Sequence, residues 1–569
     1  MEKSKKRIRC FLIILSVLAA LKMIFFAFGL DEEYQVVMAY RNATGDRLFL
    51  DMWEPHQSSA FLCTLLMKPY LHFFGTTGLV IYLRVCGTLI HLGISLFLYR
   101  VVKGIVPEEQ AWLLSLIYFG TIPKQIMLPE FGIMQVWFYT LFCLFLIRFY
   151  RDGGKRVYLA LAAFALVLNV LAYPSCLFLY PFAMLMLWRL SAGNRWRDMG
   201  IFTAVCVVCA GVYLGFLFQY TNPEELVKTL SCILGGDVTH SLTPSGSGRM
   251  TRLIKDFFLL GVLWFLCRLS AMLIARWRKL GKEAVGGIAM ILACIIELIV
   301  WIPMNLGYEN MQLYLVVPAL EGLIAYHGKI RKEGEGIGEK EQSWTVTLLK
   351  WCMAGALVSL VAVVYLTDLS LMQSIPHAMP AAFFGMILLS LASERGQVEK
   401  WKRGGVYLVL VVWCFTAVIG KGYTLRGSSK YNNVLLSSGV MKYGPAIGTI
   451  SNYFISYVYN CDYEDWQSEM QDGDKVMIVV DQINNLGTIQ YLFRDVQISH
   501  FSVVDPTAYD ERLLEYWEMF PEKAPNVIIV DCWYGQLMID SDNWIMQYIE
   551  NEFGYTQVTD GRYIRIFRK

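Results

Sequence analysis

The chain has 569 residues, of which 56% are hydrophobic and only 17% charged. A soluble protein of this length needs more charge to solvate its surface, so an ordinary globular fold is excluded and a membrane protein is indicated. The net charge of +3 gives no footprint for nucleic acid, and none is expected as a partner.

The first apolar block, Cys10 to Leu30, has one charge, Lys22, and follows the basic run Lys3, Lys5, Lys6, Arg7 and Arg9. It is longer than the apolar part of a cleavable signal peptide, about 7–15 residues, and no small-residue cleavage site follows. It reads as a retained helix with its N-terminus in the cytoplasm. Further apolar blocks are centred near 79–99, 110–127, 131–149, 157–172, 174–190, 199–219, 257–275, 285–303, 311–327, 344–366, 376–393 and 404–420. With the first they make about thirteen candidate spans, each near the ~20 residues that a crossing needs.

Lysine and arginine test this count, because they concentrate in cytoplasmic loops. Alternate connections carry Arg100 and Lys103, then Arg148 to Arg156, Arg189 to Arg197, Arg276 to Lys282, Lys329 to Lys332, and Arg395 to Arg403. The other connections are poor in both. An odd number of spans then puts the C-terminus outside, as a multi-pass protein of the cell membrane.

Two outer loops are long. Residues 31–57 carry Asp31, Glu32, Glu33, Asp46, Asp51 and Glu54. The mixed segment 58–74 is too short to cross and suits the membrane interface. The second loop, about 221–256, contains Thr243-Pro-Ser-Gly-Ser-Gly248, a flexible run. Inside a later span lies Glu297, where a charge is costly and is either functional or paired with a neighbouring helix.

Beyond residue 420 the character changes. Lys475–Val480 and Asn526–Asp531 are β-branched runs that read as buried strands. Val496–Val504 reads as another strand, Thr507–Phe520 as a helix, and Tyr555–Arg568 as a hairpin around Asp560-Gly561. Residues 421–569 are thus expected to form an extracytoplasmic α/β domain behind a mainly α, polytopic bundle over 1–420. Most of the fourteen cysteines lie in or beside apolar blocks, and Cys461 and Cys532 alone fall in the outer domain. Neither a disulfide framework nor a zinc site is indicated.

Carboxylates at the mouth of a bundle are partly desolvated, which raises their pKa and fits them to accept a proton. Asp31-Glu32-Glu33-Tyr34, then Gly45-Asp46, then Glu54-Pro55, resembles the first-loop pattern of the GT-C glycosyltransferases. The likeness is to their aminoarabinose transferase and protein O-mannosyltransferase branch. Pro129-Glu130, followed by Trp137, Phe138 and Leu141, resembles the acidic residue those enzymes place there. Tyr314-Leu-Val-Val-Pro-Ala319 resembles their Tyr-Leu-x-x-Pro stretch. Two departures stand out: Pro55 takes the place of a lysine common after the first-loop Glu, and Ala172-Tyr173-Pro174 replaces a Lys-Gly-Pro-like step.

The resemblance implies transfer of a sugar from a polyprenyl-phosphate donor to a glycan, lipid or protein acceptor on the outer face, as in cell-envelope polysaccharide synthesis. It implies that Asp31 receives the acceptor proton with Glu32 or Glu54 assisting, and that Glu130 joins them. Arg84, Lys124, Arg249 and Arg252 would neutralise the leaving phosphate, and His56 and Tyr314 would contact substrate. The segment 58–74 would frame a groove for the polyprenyl tail among membrane lipids. His56 and His72 could join the acids around a divalent metal, but two separated histidines more often make hydrogen bonds, and no cofactor is expected. Two other readings use the same spans: a transporter or flippase for a lipid-linked substrate, and a scaffold whose outer domain docks partners.

Overall fold

The structure, a computed structural model, describes residues 2–569 except 124–126, 192, 235–245, 283, 305–310, 331–338, 367–368, 395–399, 426–433, 481–486, 495–497, 505, 507–508 and 534. For helical residues 2, 30, 234, 246–249, 326–330, 339–343, 393–394 and 400–403 only the backbone is described.

The helices run α1 Glu2–Phe25, α2 Leu30–Thr44, α3 Phe61–Phe74, α4 Leu79–Val102, α5 Glu108–Gly120, α6 Phe131–Arg151, α7 Arg156–Ala172, α8 Leu179–Leu190 and α9 Arg195–Leu217. They continue as α10 Pro223–Leu234, α11 Gly246–Trp277, α12 Ala284–Trp301, α13 Gln312–Ile330, α14 Glu339–Leu366, α15 Leu371–Ser374, α16 Met379–Glu394 and α17 Lys400–Tyr423. Among the described residues nine helical segments are long and apolar enough to cross a bilayer, with three shorter apolar ones at 156–172, 174–190 and 312–325. The chain is a multi-pass membrane protein. Of the expected blocks, 110–127 differs most. Its helix α5 ends at Gly120, and the chain then leaves helical geometry and presses against α4 at Gly87. A Cβ there would fall 1.8 Å from the Met127 carbonyl oxygen, so only glycine permits the approach.

The centre of the bundle is α6 and the α15–α16 segment, whose apolar windows are 83% and 89% buried; α9 and α11 lie outside, at 11% and 17%. Small residues let helices approach closely where no hydrophobic effect drives them together. Where α13 crosses α16, a Cβ on Gly322 would sit 1.9 Å from the Gly385 carbonyl.

Three charges inside the bundle are met by helix ends, while Glu321 in mid-α13 is met by the side chains of Arg268 and Trp264. Lys22 donates to the carbonyls of Lys421 (3.0 Å) and Thr424 at the end of α17. Lys421 donates to the carbonyl of Phe119 (3.0 Å) at the end of α5. Cations at a helix C-terminus satisfy orphan carbonyls and complement the dipole. Glu297 does the converse: it accepts the Leu313 and Tyr314 amides (2.8 and 3.2 Å) and caps α13. Pairing with a neighbouring helix, one of the two expectations for Glu297, is what the fold contains.

The C-terminal region holds β1 Gly439–Val440, β2 Ile450–Ser451, α18 Tyr453–Glu469, β3 Val476–Val479, α19 Arg512–Met519, β4 Val527–Trp533, β5 Gln536–Leu537, α20 Trp544–Asn551, β6 Gln557–Asp560 and β7 Ile564–Arg568. The main sheet has the order β3-β4-β7-β6, with β5 on β4; β3 and β4 are parallel and the rest antiparallel. Alternate residues of a strand face opposite sides, and both sides are covered here. Val476, Ile478, Val527 and Ile529 belong to the core that continues into the bundle. Met477, Val479, Ile528 and Val530 pack instead with Leu50 and Trp53 of the first loop. Burial on both faces explains the continuous apolar runs.

The strand expected over 496–504 is absent among its described residues, 498–504. The backbone there serves the first loop: the Ser499 carbonyl accepts from Arg41 (2.8 Å) and the His500 carbonyl from the Trp53 amide (2.9 Å). The first loop differs too, since its first half is the helix α2 rather than coil.

Candidate functional site

The acids converge at the bundle rim that carries the C-terminal region. Phe26, just past α1, bridges to Ile450, and the Gly78 amide before α4 donates to Gly444 (3.0 Å). Helix α2 starts at the same rim with Asp31, Glu32 and Glu33 in its first turn, where carboxylates favour the helix dipole.

Each expected residue has a definite place. Asp31 is half-buried in the first turn of α2. Glu32 is buried and bound bidentately by Arg84, at 2.6 and 2.8 Å. Arg84 also donates to the carbonyls of Ile24 (3.0 Å), Phe26 (3.5 Å) and Ala27, so its five N–H groups are used within the protein. The Arg84 expected to meet a phosphate is a clamp between α1, α2 and α4 in this state. Glu130 caps α6, its carboxylate accepting the Ile133 amide (3.0 Å). The Cys63 thiol of α3, raised in pKa chiefly by burial, feels the charges of both Glu130 and Glu32, so both acids lie near it.

Glu54 is fully buried. One oxygen accepts from Arg41 (3.3 Å) and from the Ser502 hydroxyl. Burial pushes its carboxyl up to about 7, against the pull of Arg41 and Ser502. Glu33 is also buried, and neither oxygen has a hydrogen bond of normal geometry. Burial, then the neighbouring Glu32, raises its pKa well above the usual range; the Thr488 and Ile489 amides facing it reduce that rise without cancelling it.

His56 stacks on Phe131 (4.3 Å between centroids, 4° apart) and leans on Tyr173 (5.0 Å). Phe131 also meets Tyr34 (6.4 Å), and Tyr173 meets His377 (5.2 Å) in the break before α16. One aromatic wall thus joins α2, the first loop, α6 and the two interrupted helices at Tyr173 and His377. Tyr314 is buried lower in the bundle, its hydroxyl 3.1 Å from Thr121 and 3.4 Å from the Trp413 carbonyl. Arg252 is exposed on α11. Lys124 and the Arg249 side chain lie outside the described residues. Among the described residues no group of three or more His, Cys, Asp or Glu suits a metal; His72 packs on Phe73 instead (4.9 Å).

The residue that sequence reading missed is Arg41. Its five donors reach Asp46 (2.7 Å), Glu54 (3.3 Å), Ser502 (3.3 Å), the Asp51 carbonyl (3.0 Å) and the Ser499 carbonyl (2.8 Å). Lys523 holds the other oxygen of Asp46 (2.6 Å), and Tyr516 donates to the Asp51 carbonyl (2.8 Å). Arg47 binds Asp51 in a local pair. Asp51 is largely buried, yet the Arg47 hydrogen bonds outweigh that burial and hold it below the usual carboxylate range. The only signal in the sequence was a cation set among acids.

No family model and no curated protein matches the sequence. Solved structures do match in fold. ArnT from Cupriavidus metallidurans bound to undecaprenyl phosphate aligns over 98% of this chain and 97% of that one, with a TM-score of 0.52 at 8% identity. The Archaeoglobus fulgidus oligosaccharyltransferase tethered to an acceptor peptide aligns over 92% and 69%, with a TM-score of 0.46 at 11% identity. AglB from the same organism, with an inhibitory peptide and a dolichol-phosphate, aligns over 93% and 70%, with a TM-score of 0.45 at 11% identity. With its polytopic helical bundle and small C-terminal sheet region, the chain has the fold of the ArnT structure.

Proposed function

We propose that the protein is a membrane glycosyltransferase that moves a sugar from a polyprenyl-phosphate donor to an acceptor at the extracytoplasmic face. The basic connections fall on the other side, which supports a cytoplasmic N-terminus and an outer C-terminal domain. The fold shared with ArnT, solved with undecaprenyl phosphate, supports the donor class.

The observation that carries this reading is the setting of Asp31. Asp31 stays half-exposed at the head of α2, where an acceptor can reach it. In the proposed step the acceptor hydroxyl gives its proton to the Asp31 carboxylate as its oxygen bonds to the anomeric carbon. The bond from that carbon to the phosphate oxygen breaks, and its electron pair leaves with the polyprenyl phosphate. Arg252, with Arg249 and Lys124, is assigned to the growing phosphate charge. Glu32, Glu54 and Glu130 keep the rim in shape, and His56 gives the sugar a flat wall with Phe131 and Tyr173.

The test is reconstitution with a radiolabelled sugar on polyprenyl phosphate and a panel of glycan and lipid acceptors. Label moving to an acceptor with matching release of polyprenyl phosphate is the expected result. Label crossing the bilayer still bound to its lipid would establish the flippase reading instead.

A further inference from the structure

The C-terminal domain carries an aromatic face that neither the proposed reaction nor the sheet core uses. Tyr453, Phe454 and Tyr457 stand on one side of α18. Trp533, at the end of β4, and Tyr563, before β7, complete the group. The rings touch in sequence: Tyr453 on Tyr457 (6.1 Å), Tyr457 on Tyr563 (6.0 Å), Tyr563 on Trp533 (5.2 Å) and Trp533 on Phe454 (5.0 Å). Their outer surfaces stay open, and Tyr453 is 66% exposed. Contiguous apolar surface of this kind marks an interaction site.

The height of this face identifies what it meets. Phe25, the last residue of α1, is an exposed apolar side chain on a spanning helix, so lipid reaches that level. The next two residues are joined to β2: Phe26 bridges Ile450, and the Ala27 amide donates to the Ile450 carbonyl (2.8 Å). Tyr453 follows three residues after Ile450, a reach of at most ~10 Å. The headgroup zone extends roughly 5–8 Å beyond the hydrocarbon on each side. Leu435, Leu436 and Val440, between the last span and β2, are exposed as well. Tyrosine and tryptophan are the residues that settle at this depth, with an apolar ring and a polar tip.

We infer that this aromatic face rests in the phospholipid headgroup layer, so that the C-terminal domain is seated on the bilayer as well as on the bundle. Such seating fixes the height of the first loop, because Leu50 and Trp53 form part of the domain's own core. The inference rests on the multi-pass fold and stands apart from the transferase reading.

Photocrosslinking of the full chain in nanodiscs of phosphatidylethanolamine and phosphatidylglycerol tests it. p-Benzoylphenylalanine replaces Tyr457 or, separately, Tyr453. Phe258 on the lipid face of α11 serves as the lipid-exposed reference. Tyr555, near the opposite end of the β6–β7 ladder from Tyr563, serves as the water-exposed one. Intact-mass measurement should find a one-phospholipid adduct at 453, 457 and 258 and none at 555. An adduct at 258 with none at 453 and 457, a crosslink from either position to a second protein copy, or equal lipid addition at 555 would each overturn the inference.

Discussion

Three buried charges of the bundle and the one at the junction between the first loop and the C-terminal region are satisfied in different ways. In the bundle, Lys22, Lys421 and Glu297 are each satisfied by the backbone at a helix end. At the junction, Arg41 is satisfied by Asp46, Asp51 and Glu54 of the first loop and by Ser499 and Ser502 of one distant segment. A helix end is available wherever a helix stops. Partners far apart in sequence occur in both places, 302 to 402 residues for Lys421 and Lys22 and 458 or 461 for Arg41, but only Arg41 also needs carboxylates and a hydroxyl held in position around it. The junction therefore depends on more groups being in place at once.

That contrast can be broken at several points. Arg41→Met strips a buried carboxylate of its partner, a loss of about 3–5 kcal/mol. It should appear as a lower melting temperature and as rapid protease release of the C-terminal domain. Unchanged protease resistance would mean that the docking does not depend on Arg41. Glu54 gives a pH test. Its folded pKa, about 7, lies above the 4.5 of an ordinary glutamate, so the folded state holds a proton that the unfolded chain has lost. Stability is then fully present below about 4.5 and falls as pH rises to about 7, by on the order of 1–3 kcal/mol. Melting curves from pH 4.5 to 8 should show the decline in the native chain and a flatter profile in Glu54→Gln; the same slope in both would assign it to another group. Glu297→Ala removes a helix cap and should cost about 0.5–2 kcal/mol, with no effect on protease release of the domain. If it loosened the domain as Arg41→Met does, the two regions would be one cooperative unit and the contrast would dissolve.

What was legible in the sequence follows the same division. The spans announced themselves through length and apolarity, and β3 and β4 through β-branched runs buried on both faces. The hairpin at β6–β7 was marked by Asp560-Gly561. Helix α2 was hidden because its apolar residues and two of its acids, Glu32 and Glu33, are buried together, Glu32 against Arg84 and Glu33 against the C-terminal region. The 496–504 segment has strand-like composition, but its carbonyls are spent on Arg41 and Trp53. Among site residues, Asp31, Glu54, His56 and Glu130 were visible as acids and a histidine beside spans, and His56 stacks on Phe131, next to Glu130. Arg84 was visible as a charge, but its engagement with Glu32 and three carbonyls was not, since those contacts depend on how α1 ends.

The most direct measurement compares the native chain with Asp31→Asn in the reconstituted transfer reaction, with melting temperature recorded on the same preparations. The account predicts a fall in transfer of about 10²–10⁴-fold at an unchanged melting temperature. Full transfer by Asp31→Asn would remove Asp31 from the chemistry and contradict the proposed step.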